Sequence, residues 1–260
     1  MSKPSVRVLK ILPWLAVVPV SFGLGCTAAV SEPTAPAPSS GAEERTRAAP
    51  GPVVDESSVR PGINAPYFQP KALDRYTGVL EGERREVVQH RDEIIHAMGL
   101  QEGMVVADIG AGTGLFTTEI AKRVGEKGAV FSVDIVPAFL DRIRERVEAE
   151  QLTNVTVVQG AERATALDPA SVDLAFMCDT YHHIEYPQTY MHSLFRTLRP
   201  GATLVLIDFE RIEGESLPAI LNHVRADKQT VIDEVNQAGF VLESETDLLK
   251  QNYYLHFRRP

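Results

Sequence analysis

The sequence is poor in cysteine and has no excess of basic residues. Only two of its 260 residues are cysteines, Cys26 and Cys178, which excludes the disulfide framework that holds many small secreted domains together. Its 26 Lys and Arg face 35 Asp and Glu, giving a formal net charge of -9. A surface that follows nucleic-acid phosphates needs clustered basic side chains, and the sequence contains no such run. We therefore expect no nucleic-acid partner.

A long apolar run near the N terminus is also missing. The uncharged stretch from Ile11 to Gly25 is shorter than the roughly 20 residues that a comfortable membrane-spanning helix needs. Three basic residues lie among the first ten, which is typical of an export signal. Cys26 then follows Leu24-Gly25, a sequence that resembles a bacterial lipoprotein processing site, although the leucine lies one position closer to the cysteine than usual. We expect membrane attachment through the N terminus only; the alternatives are an uncleaved anchor and, if the signal is not used, a cytoplasmic protein.

Composition divides the chain into three parts. Residues 1–26 form the predicted signal. Residues 27–64 are rich in Pro, Ala, Ser and Glu and almost free of large apolar side chains, so we expect a disordered linker. From residue 65 onward, apolar runs alternate with amphipathic stretches, so residues 65–260 are predicted to form the folded domain. No internal repeat is visible.

Short apolar strands alternate with amphipathic helices through this region, which predicts an α/β fold with a mainly parallel sheet covered on both faces. The predicted strands are Met104–Ile109, Ala129–Val133, Val155–Val158, Val172–Met177, Thr203–Ile207, Phe240–Glu243 and Tyr253–Phe257. The predicted helices are Gly82–Met98, Leu115–Val124, Pro137–Glu150, Tyr190–Leu198 and Thr230–Ala238. In such sheets ligands bind beyond the carboxyl ends of the strands, so the residues that follow each strand are candidates for the site.

A glycine-rich turn follows the first strand, with glycine at alternate positions 110, 112 and 114. Glycine lets the backbone turn sharply and approach a ligand closely because it has no Cβ. The dinucleotide fingerprint G-x-G-x-x-G would need glycine at position 115, where Leu115 stands. About 20 residues later the second strand ends at Asp134, a carboxylate that can accept hydrogen bonds from the two hydroxyls of a ribose.

With these motifs the sequence resembles the class I S-adenosylmethionine-dependent methyltransferases, in particular the small-molecule branch that includes ubiquinone-biosynthesis-type enzymes. The resemblance extends from Glu81 to the C terminus. It implies a Rossmann-like, seven-stranded, mostly parallel sheet with helices on both faces and an antiparallel last strand. It also implies S-adenosyl-L-methionine as cofactor and methyl transfer to a small-molecule acceptor. The matching segments are Val106 to Gly114, Phe131 to Asp134, Ser171 to Phe176 and Leu198 to Leu204.

The resemblance also implies the cofactor contacts. The glycine turn would face the methionine part of the cofactor, and Asp134 the ribose. After the third strand the family usually has an acid that meets the adenine amino group; this sequence has Ala161 there, and Glu162 either substitutes from the next position or is an ordinary acid of a first helical turn. The predicted cofactor-binding residues are Asp108, Gly110, Ala111, Gly112, Thr113, Gly114, Asp134, Ile135, Ala161 and Glu162.

The segment after the fourth strand lies under the transferred methyl group in this family. Here it contains His182 and His183, and a histidine near neutral pH is suited to take a proton from an attacking oxygen or nitrogen. We expect His182 to be the general base, or otherwise to pack and hydrogen-bond near the cofactor. Asp179 and Tyr181 are expected to orient groups in the site. Asp208, which ends the fifth strand, could bind substrate, act as a base or cap a turn.

The sequence predicts no metal site, because the histidines do not form a ligand cluster with cysteines or paired carboxylates. Arsenite methylation is also disfavoured, since it relies on several cysteines and only Cys178 lies in the predicted domain. Two other functions remain open. A nicotinamide-dependent oxidoreductase has a similar glycine turn, against which Leu115 counts. An inactive methyltransferase fold in a binding lipoprotein would explain export to a compartment where S-adenosylmethionine is not expected.

Overall fold

A seven-stranded sheet forms the centre of the computed structural model, which describes residues 55–260. The predicted signal and the linker residues 27–54 lie outside the described residues. The strands are β1 Val105–Ile109, β2 Ala129–Asp134, β3 Val155–Gln159, β4 Val172–Cys178, β5 Leu198–Phe209, β6 Val241–Glu245 and β7 Asn252–Arg258. The helices are α1 Ala72–Leu80, α2 Glu86–Gln89, α3 Arg91–Ala97, α4 Thr117–Val124, α5 Pro137–Ala149, α6 Pro187–Thr197, α7 Pro218–His223 and α8 Lys228–Gln237, with short 3-10 helices at Ala65–Phe68 and Tyr181–His183.

The strand order is β3-β2-β1-β4-β5-β7-β6. Strands β1 to β5 pair in parallel, and β7 lies antiparallel between β5 and β6. The predicted Rossmann-like sheet with an antiparallel last strand is therefore confirmed. The order reverses at β1, so the carboxyl ends of β1, β2 and β4 lie side by side, which is where ligands bind in open α/β sheets.

The core lies on both faces of the sheet because the strands are apolar on both sides. In β4, Leu174 and Phe176 pack into one buried cluster, and Ala175 and Met177 pack into the other. Such side chains point alternately to the two faces, as the pleat requires. Within residues 55–260 no helix combines the length and apolar character that a membrane crossing needs.

Several elements differ from their predicted bounds. The helix predicted over Gly82–Met98 is two helices, which meet at His90, where ψ is 22° rather than helical. Strand β5 begins at Leu198, five residues before the predicted start, because Leu198 pairs with Val172 at the beginning of β4. Helices α1 and α7 were not predicted from the sequence.

The ten residues before the predicted domain boundary at 65 pack against the fold, so residues 55–64 are called the N-terminal strap. Glu56 accepts hydrogen bonds from the backbone of Gln188 and Thr189, at 2.9 and 2.8 Å, and so caps α6. Ser58 Oγ donates to Glu185 Oε2 at 2.7 Å. The folded part of the chain therefore begins before residue 65, because polar side chains of the strap bond to distant backbone groups that composition alone does not reveal.

Candidate functional site

A cleft of about 780 Å³, counted out to its open mouth, lies at the carboxyl ends of β1, β2 and β4. Its size is within the range of about 300–1,000 Å³ that is typical of small-molecule sites. The sheet edge provides the glycine turn and Asp134, and Tyr67 comes from the segment that follows the strap. The lining residues are Asn64, Tyr67, Leu80, Gly110, Gly112, Val133, Asp134, Ile135, Val136, Phe139, Ala161, Glu162, Asp179, Thr180, His183, Ile184, Glu185 and Tyr190.

The glycine turn has the left-handed backbone that only glycine adopts easily. Gly110 and Gly112 have φ angles of 67° and 56°. A Cβ on Gly110 would overlap the Thr180 side chain, whereas one on Gly112 would meet only Leu80 Cδ1, at 3.5 Å. Gly110 therefore allows β1 and the segment after β4 to approach each other, and Gly112 leaves the cleft open beside the backbone.

Asp134 is buried at the end of β2 and lines the cleft. Its Oδ2 accepts from the Gly112 amide and its Oδ1 from the Val136 amide, both at 2.8 Å. Burial raises the pKa of Asp134 to about 6, against the opposing effect of these backbone hydrogen bonds. A carboxylate has about four lone-pair positions, and Asp134 lines the cleft, so it can also accept from a donor inside the cleft. Two adjacent hydroxyls match that arrangement.

The predicted cofactor residues divide into two groups. Asp108 lies behind the glycine turn and not in the cleft. In that position it accepts a hydrogen bond from Thr117 Oγ1 at 2.6 Å. Burial raises the pKa of Asp108 to about 7. Its hydrogen bond joins β1 to the start of α4 and so holds the turn in place. Gly110, Gly112, Asp134, Ile135, Ala161 and Glu162 line the cleft, whereas Asp108, Ala111, Thr113 and Gly114 do not.

Asp179 lines the cleft and is held by two partners from distant parts of the chain. Arg85 forms an ion pair with it at 2.6 Å, and Asn252 Nδ2 donates to its other oxygen at 2.6 Å. Its backbone is left-handed, with φ 49°. Burial raises the pKa of Asp179 to about 6 and outweighs the opposing effect of the Arg85 charge. An orienting role in the site, as predicted, is compatible with this position.

His182 does not line the cleft, which disagrees with its predicted role as general base. It is 4% exposed, and its Nδ1 lies 2.7 Å from Asp208 Oδ1. Asp208 also accepts from the backbone amides of His182 and Phe209, at 3.0 and 2.8 Å. Neither residue meets the cleft, because the 3-10 turn after β4 directs His182 back over β5. Asp208 therefore holds His182 in place through the ring and the backbone N–H.

His183 is the histidine that lines the cleft. Its Nε2 lies 3.4 Å from the Tyr67 hydroxyl, and its Nδ1 is buried without a hydrogen-bond partner among the described residues. Burial, followed by the nearby His182 and His223, lowers the pKa of His183 to about 2, so its ring is neutral. His223, at the end of α7, packs against both other rings. The sequence gives no signal for this, because His223 lies far from them along the chain.

Tyr181 is also outside the cleft, contrary to its predicted orienting role. It is fully buried, and its hydroxyl donates to Glu234 Oε2 at 2.7 Å. Arg225 makes two hydrogen bonds to the same carboxylate, at 2.9 and 2.6 Å. Tyr181 therefore ties the segment after β4 to α8 and serves the packing of the fold.

Several cleft residues were not found from the sequence. Asn64 and Tyr67 lie at or just after the predicted linker, and Asn64 Nδ2 donates to the His183 carbonyl at 2.9 Å. Glu185 is buried and accepts from Ser58 and from the Gly62 amide. These residues meet only through long-range contacts, for which the sequence offers no periodic pattern.

Comparisons with known proteins agree with this fold. Residues 106–201 match a family described as "Methyltransferase domain". The chain is 29% identical over 134 residues to the ubiquinone/menaquinone biosynthesis C-methyltransferase UbiE of Idiomarina loihiensis, covering 50% of this chain and 51% of that protein. The chain thus spans about half the length of the curated relatives it matches.

Solved structures give the same result over more of the chain. A SAM-dependent methyltransferase from Aquifex aeolicus is 26% identical, with a TM-score of 0.65, and the match covers 74% of this chain and 100% of that one. A putative sarcosine dimethylglycine methyltransferase from Galdieria sulphuraria, 13% identical with a TM-score of 0.59 over 72% and 98% of the two chains, shares the fold. The chain is therefore similar to S-adenosylmethionine-dependent methyltransferases in sequence over part of its length and in fold over about three quarters of it.

Proposed function

We propose that this chain, with its class I methyltransferase domain, transfers a methyl group from S-adenosyl-L-methionine to a small-molecule acceptor. The observation that carries the proposal is the cleft that joins the open glycine turn at Gly112 to the buried carboxylate of Asp134. The match of residues 106–201 to a methyltransferase domain supports it. Leu115, where a dinucleotide fingerprint needs glycine, favours this cofactor over a nicotinamide.

The residues of the cleft suit the proposed cofactor. Asp134 lines the cleft and offers a carboxylate as acceptor for the two ribose hydroxyls. Gly112 leaves room for a ligand beside the backbone. Glu162 is exposed at the rim of the cleft, beside Ala161, and is our candidate for the adenine amino group. When bound, this cofactor supplies a methyl group on a positively charged sulfur, which an acceptor lone pair can displace.

A small acceptor fits the remaining wall of the cleft. Tyr67, Phe139 and Tyr190 provide aromatic surface there, and Asn64 and His183 add a few polar atoms. Apolar walls with a few fixed polar groups are typical of small-molecule sites. The net charge of -9 argues against a nucleic-acid acceptor. In this proposal the chain's main contribution is to align the two reactants and exclude water, and alignment can lower a barrier by several kcal/mol.

Calorimetric titration of the full-length protein tests the proposal. We expect S-adenosylmethionine and S-adenosylhomocysteine to bind with a stoichiometry of one and NAD not to bind. Binding of both, together with methyl transfer to a panel of small acceptors, supports the enzyme. Binding of NAD alone would assign the cleft to an oxidoreductase. Cofactor binding without transfer to any acceptor would favour the inactive binding protein.

We also propose that the N terminus attaches the protein to a membrane as a lipoprotein. The basic first residues, the short apolar stretch and Cys26 after Leu24-Gly25 support this. Mass spectrometry of membrane-extracted protein should find Cys26 as the lipidated N terminus. An intact Met1 in a soluble pool that carries all the activity would contradict it.

A further inference from the structure

Three histidine rings meet beside the cleft. His182 and His183 follow β4, and His223 comes from the end of α7. The ring centroids are 4.3 Å apart for His182 and His183, 5.0 Å for His182 and His223, and 5.1 Å for His183 and His223. One ring nitrogen of each residue lies within 4.8 Å of the others. The fold therefore brings together three nitrogen ligands from two separate segments.

Asp208 fixes the proton on one of these rings. Its Oδ1 lies 2.7 Å from His182 Nδ1, and its carboxylate already accepts two backbone amides. A carboxylate can only accept, so Nδ1 carries the hydrogen and Nε2 is the ring nitrogen left for a metal ion. A carboxylate behind the second nitrogen of a histidine is the arrangement that orients metal-binding histidines in proteins.

His183 supports the same conclusion independently. Its Nδ1 is buried without a hydrogen-bond partner among residues 55–260. A buried polar atom that lacks a partner is costly, and a metal ion bound at this nitrogen would remove that cost.

We propose that His182, His183 and His223 bind one divalent transition-metal ion, with Zn²⁺ as the ion that suits them best. Three imidazoles suit zinc and related first-row metals rather than Mg²⁺ or Ca²⁺, which prefer oxygen ligands. Three protein ligands with an open fourth position are the pattern of catalytic zinc sites. Zn–N bonds of about 2.0–2.1 Å need nitrogens about 3.4 Å apart, so the rings must turn slightly inward from their present spacing of up to 4.8 Å.

The surroundings allow this adjustment. His223 is only partly buried and ends a short helix, so its side chain has room to move. Arg60 is a nearby positive charge that would repel a metal ion. Its guanidinium donates to the Asn222 carbonyl at 2.6 Å, next to His223. Because that contact is exposed, solvent screens its repulsion of a cation. The buried Asp208 carboxylate contributes the compensating negative charge.

The position of the cluster assigns it to the acceptor rather than to the cofactor. It adjoins the cleft through His183, whereas Gly112 and Asp134 form the cofactor side. If the proposed methyl transfer holds, the open metal position would take an acceptor with a hydroxyl or thiol group. A metal ion lowers the pKa of such a group and so favours its nucleophilic form.

The test uses the full chain without a polyhistidine tag. Chelator-treated protein is titrated with Zn²⁺ and, separately, with Co²⁺, whose visible absorption reports its ligand geometry. His223→Ala removes one ligand on a partly exposed side chain. His192→Ala is the matched control, because His192 is exposed on α6, outside the cluster. Titration with S-adenosylhomocysteine checks that each variant is folded and tests the cofactor site separately.

We expect one Zn²⁺ per chain in the wild type and in His192→Ala, and at least a tenfold weaker affinity in His223→Ala with S-adenosylhomocysteine binding retained. No stoichiometric Zn²⁺ or Co²⁺ in the wild type, or equal affinity in His223→Ala, would overturn the metal site. Metal binding without any S-adenosylhomocysteine binding would reject the proposed function and leave the metal site standing.

Discussion

Asp208 and His182 form a buried pair in which one carboxylate accepts both the ring Nδ1–H and the backbone N–H of the same histidine, at 2.7 and 3.0 Å. The pair fixes the position and the tautomer of His182 at the end of β5. The side chains of His182 and Asp208 are almost inaccessible, at 3% and 1% exposed. The role of this histidine therefore follows from what its free Nε2 can bind, and removing the carboxylate should disturb the fold as well as the ring.

We expect Asp208→Asn to lower the free energy of unfolding by about 1–3 kcal/mol. An asparagine has one acceptor oxygen for three N–H donors, and its own NH₂ must face at least one of them. Urea denaturation measures the loss. Asp168→Asn is the matched control, because Asp168 is exposed, and it should change stability little. Equal stability of the two variants would mean that the three hydrogen bonds to Asp208 contribute nothing measurable to folding.

Asp134→Ala should weaken S-adenosylhomocysteine binding by roughly 10- to 150-fold, which corresponds to the loss of about 1.5–3 kcal/mol for hydrogen bonds to a charged group. The physical reason is that the ribose hydroxyls lose their acceptor. Calorimetry gives the affinity. Because the mutation also frees the Gly112 and Val136 amides, thermal unfolding of the apo protein must be measured beside it. Unchanged affinity would show that the ribose lies elsewhere in the cleft.

Cofactor affinity should also depend on pH through Asp134. Hydroxyl donors favour its ionised form, and burial raises its pKa to about 6. Binding should therefore be tight above pH 6 and weaken by up to tenfold per unit below it. Asp108, Tyr67 and Tyr190 interact electrostatically with Asp134, and Asp179 titrates in the same cleft. Asp134→Asn should flatten the dependence of cofactor affinity on pH between pH 5 and 7. If the variant keeps the same slope, another carboxyl group causes the pH dependence.

The sequence predicts those parts of the site that local order determines. The glycine turn and Asp134 are recognisable because each directly follows a short apolar strand, and the sheet brings the two strand ends together. The order of apolar strands and amphipathic helices likewise predicts the sheet.

Contacts between distant segments could not be predicted. His223 meets His182 only because α7 folds back over the end of β5. Asp179 acquires its Arg85 partner through the same kind of long-range contact. Which of His182 and His183 lines the cleft could not be predicted for a different reason. Two adjacent histidines have the same local sequence signal, and only the 3-10 turn at Tyr181–His183 decides which ring enters the cleft.

Tyr181→Phe tests whether Tyr181 belongs to the fold or to the site. The substitution leaves Glu234 without its hydroxyl donor, so we expect a loss of about 1–3 kcal/mol in unfolding free energy and no change in S-adenosylhomocysteine affinity. Tyr186→Phe is a matched control, because the Tyr186 ring lies under the Arg163 guanidinium, at 3.5 Å, and that contact does not use its hydroxyl. Reduced cofactor affinity at unchanged stability would restore the orienting role predicted from the sequence.

Glu185→Gln should loosen the N-terminal strap. Glu185 is buried beside the cleft and accepts from Ser58 Oγ at 2.7 Å and from the Gly62 amide at 3.1 Å. An amide retains only one acceptor oxygen, so we expect the strap to open more easily by about 1–3 kcal/mol while the sheet keeps its stability. Hydrogen exchange and limited proteolysis of residues 55–64 measure the opening, and Glu126→Gln at an exposed position is the control.

Because Asn64 also holds the His183 carbonyl, a loosened strap should weaken acceptor binding more than cofactor binding. Strap protection equal to that of the wild type would mean that the other strap contacts, such as those of Glu56 with the start of α6, hold the segment without the Glu185 carboxylate.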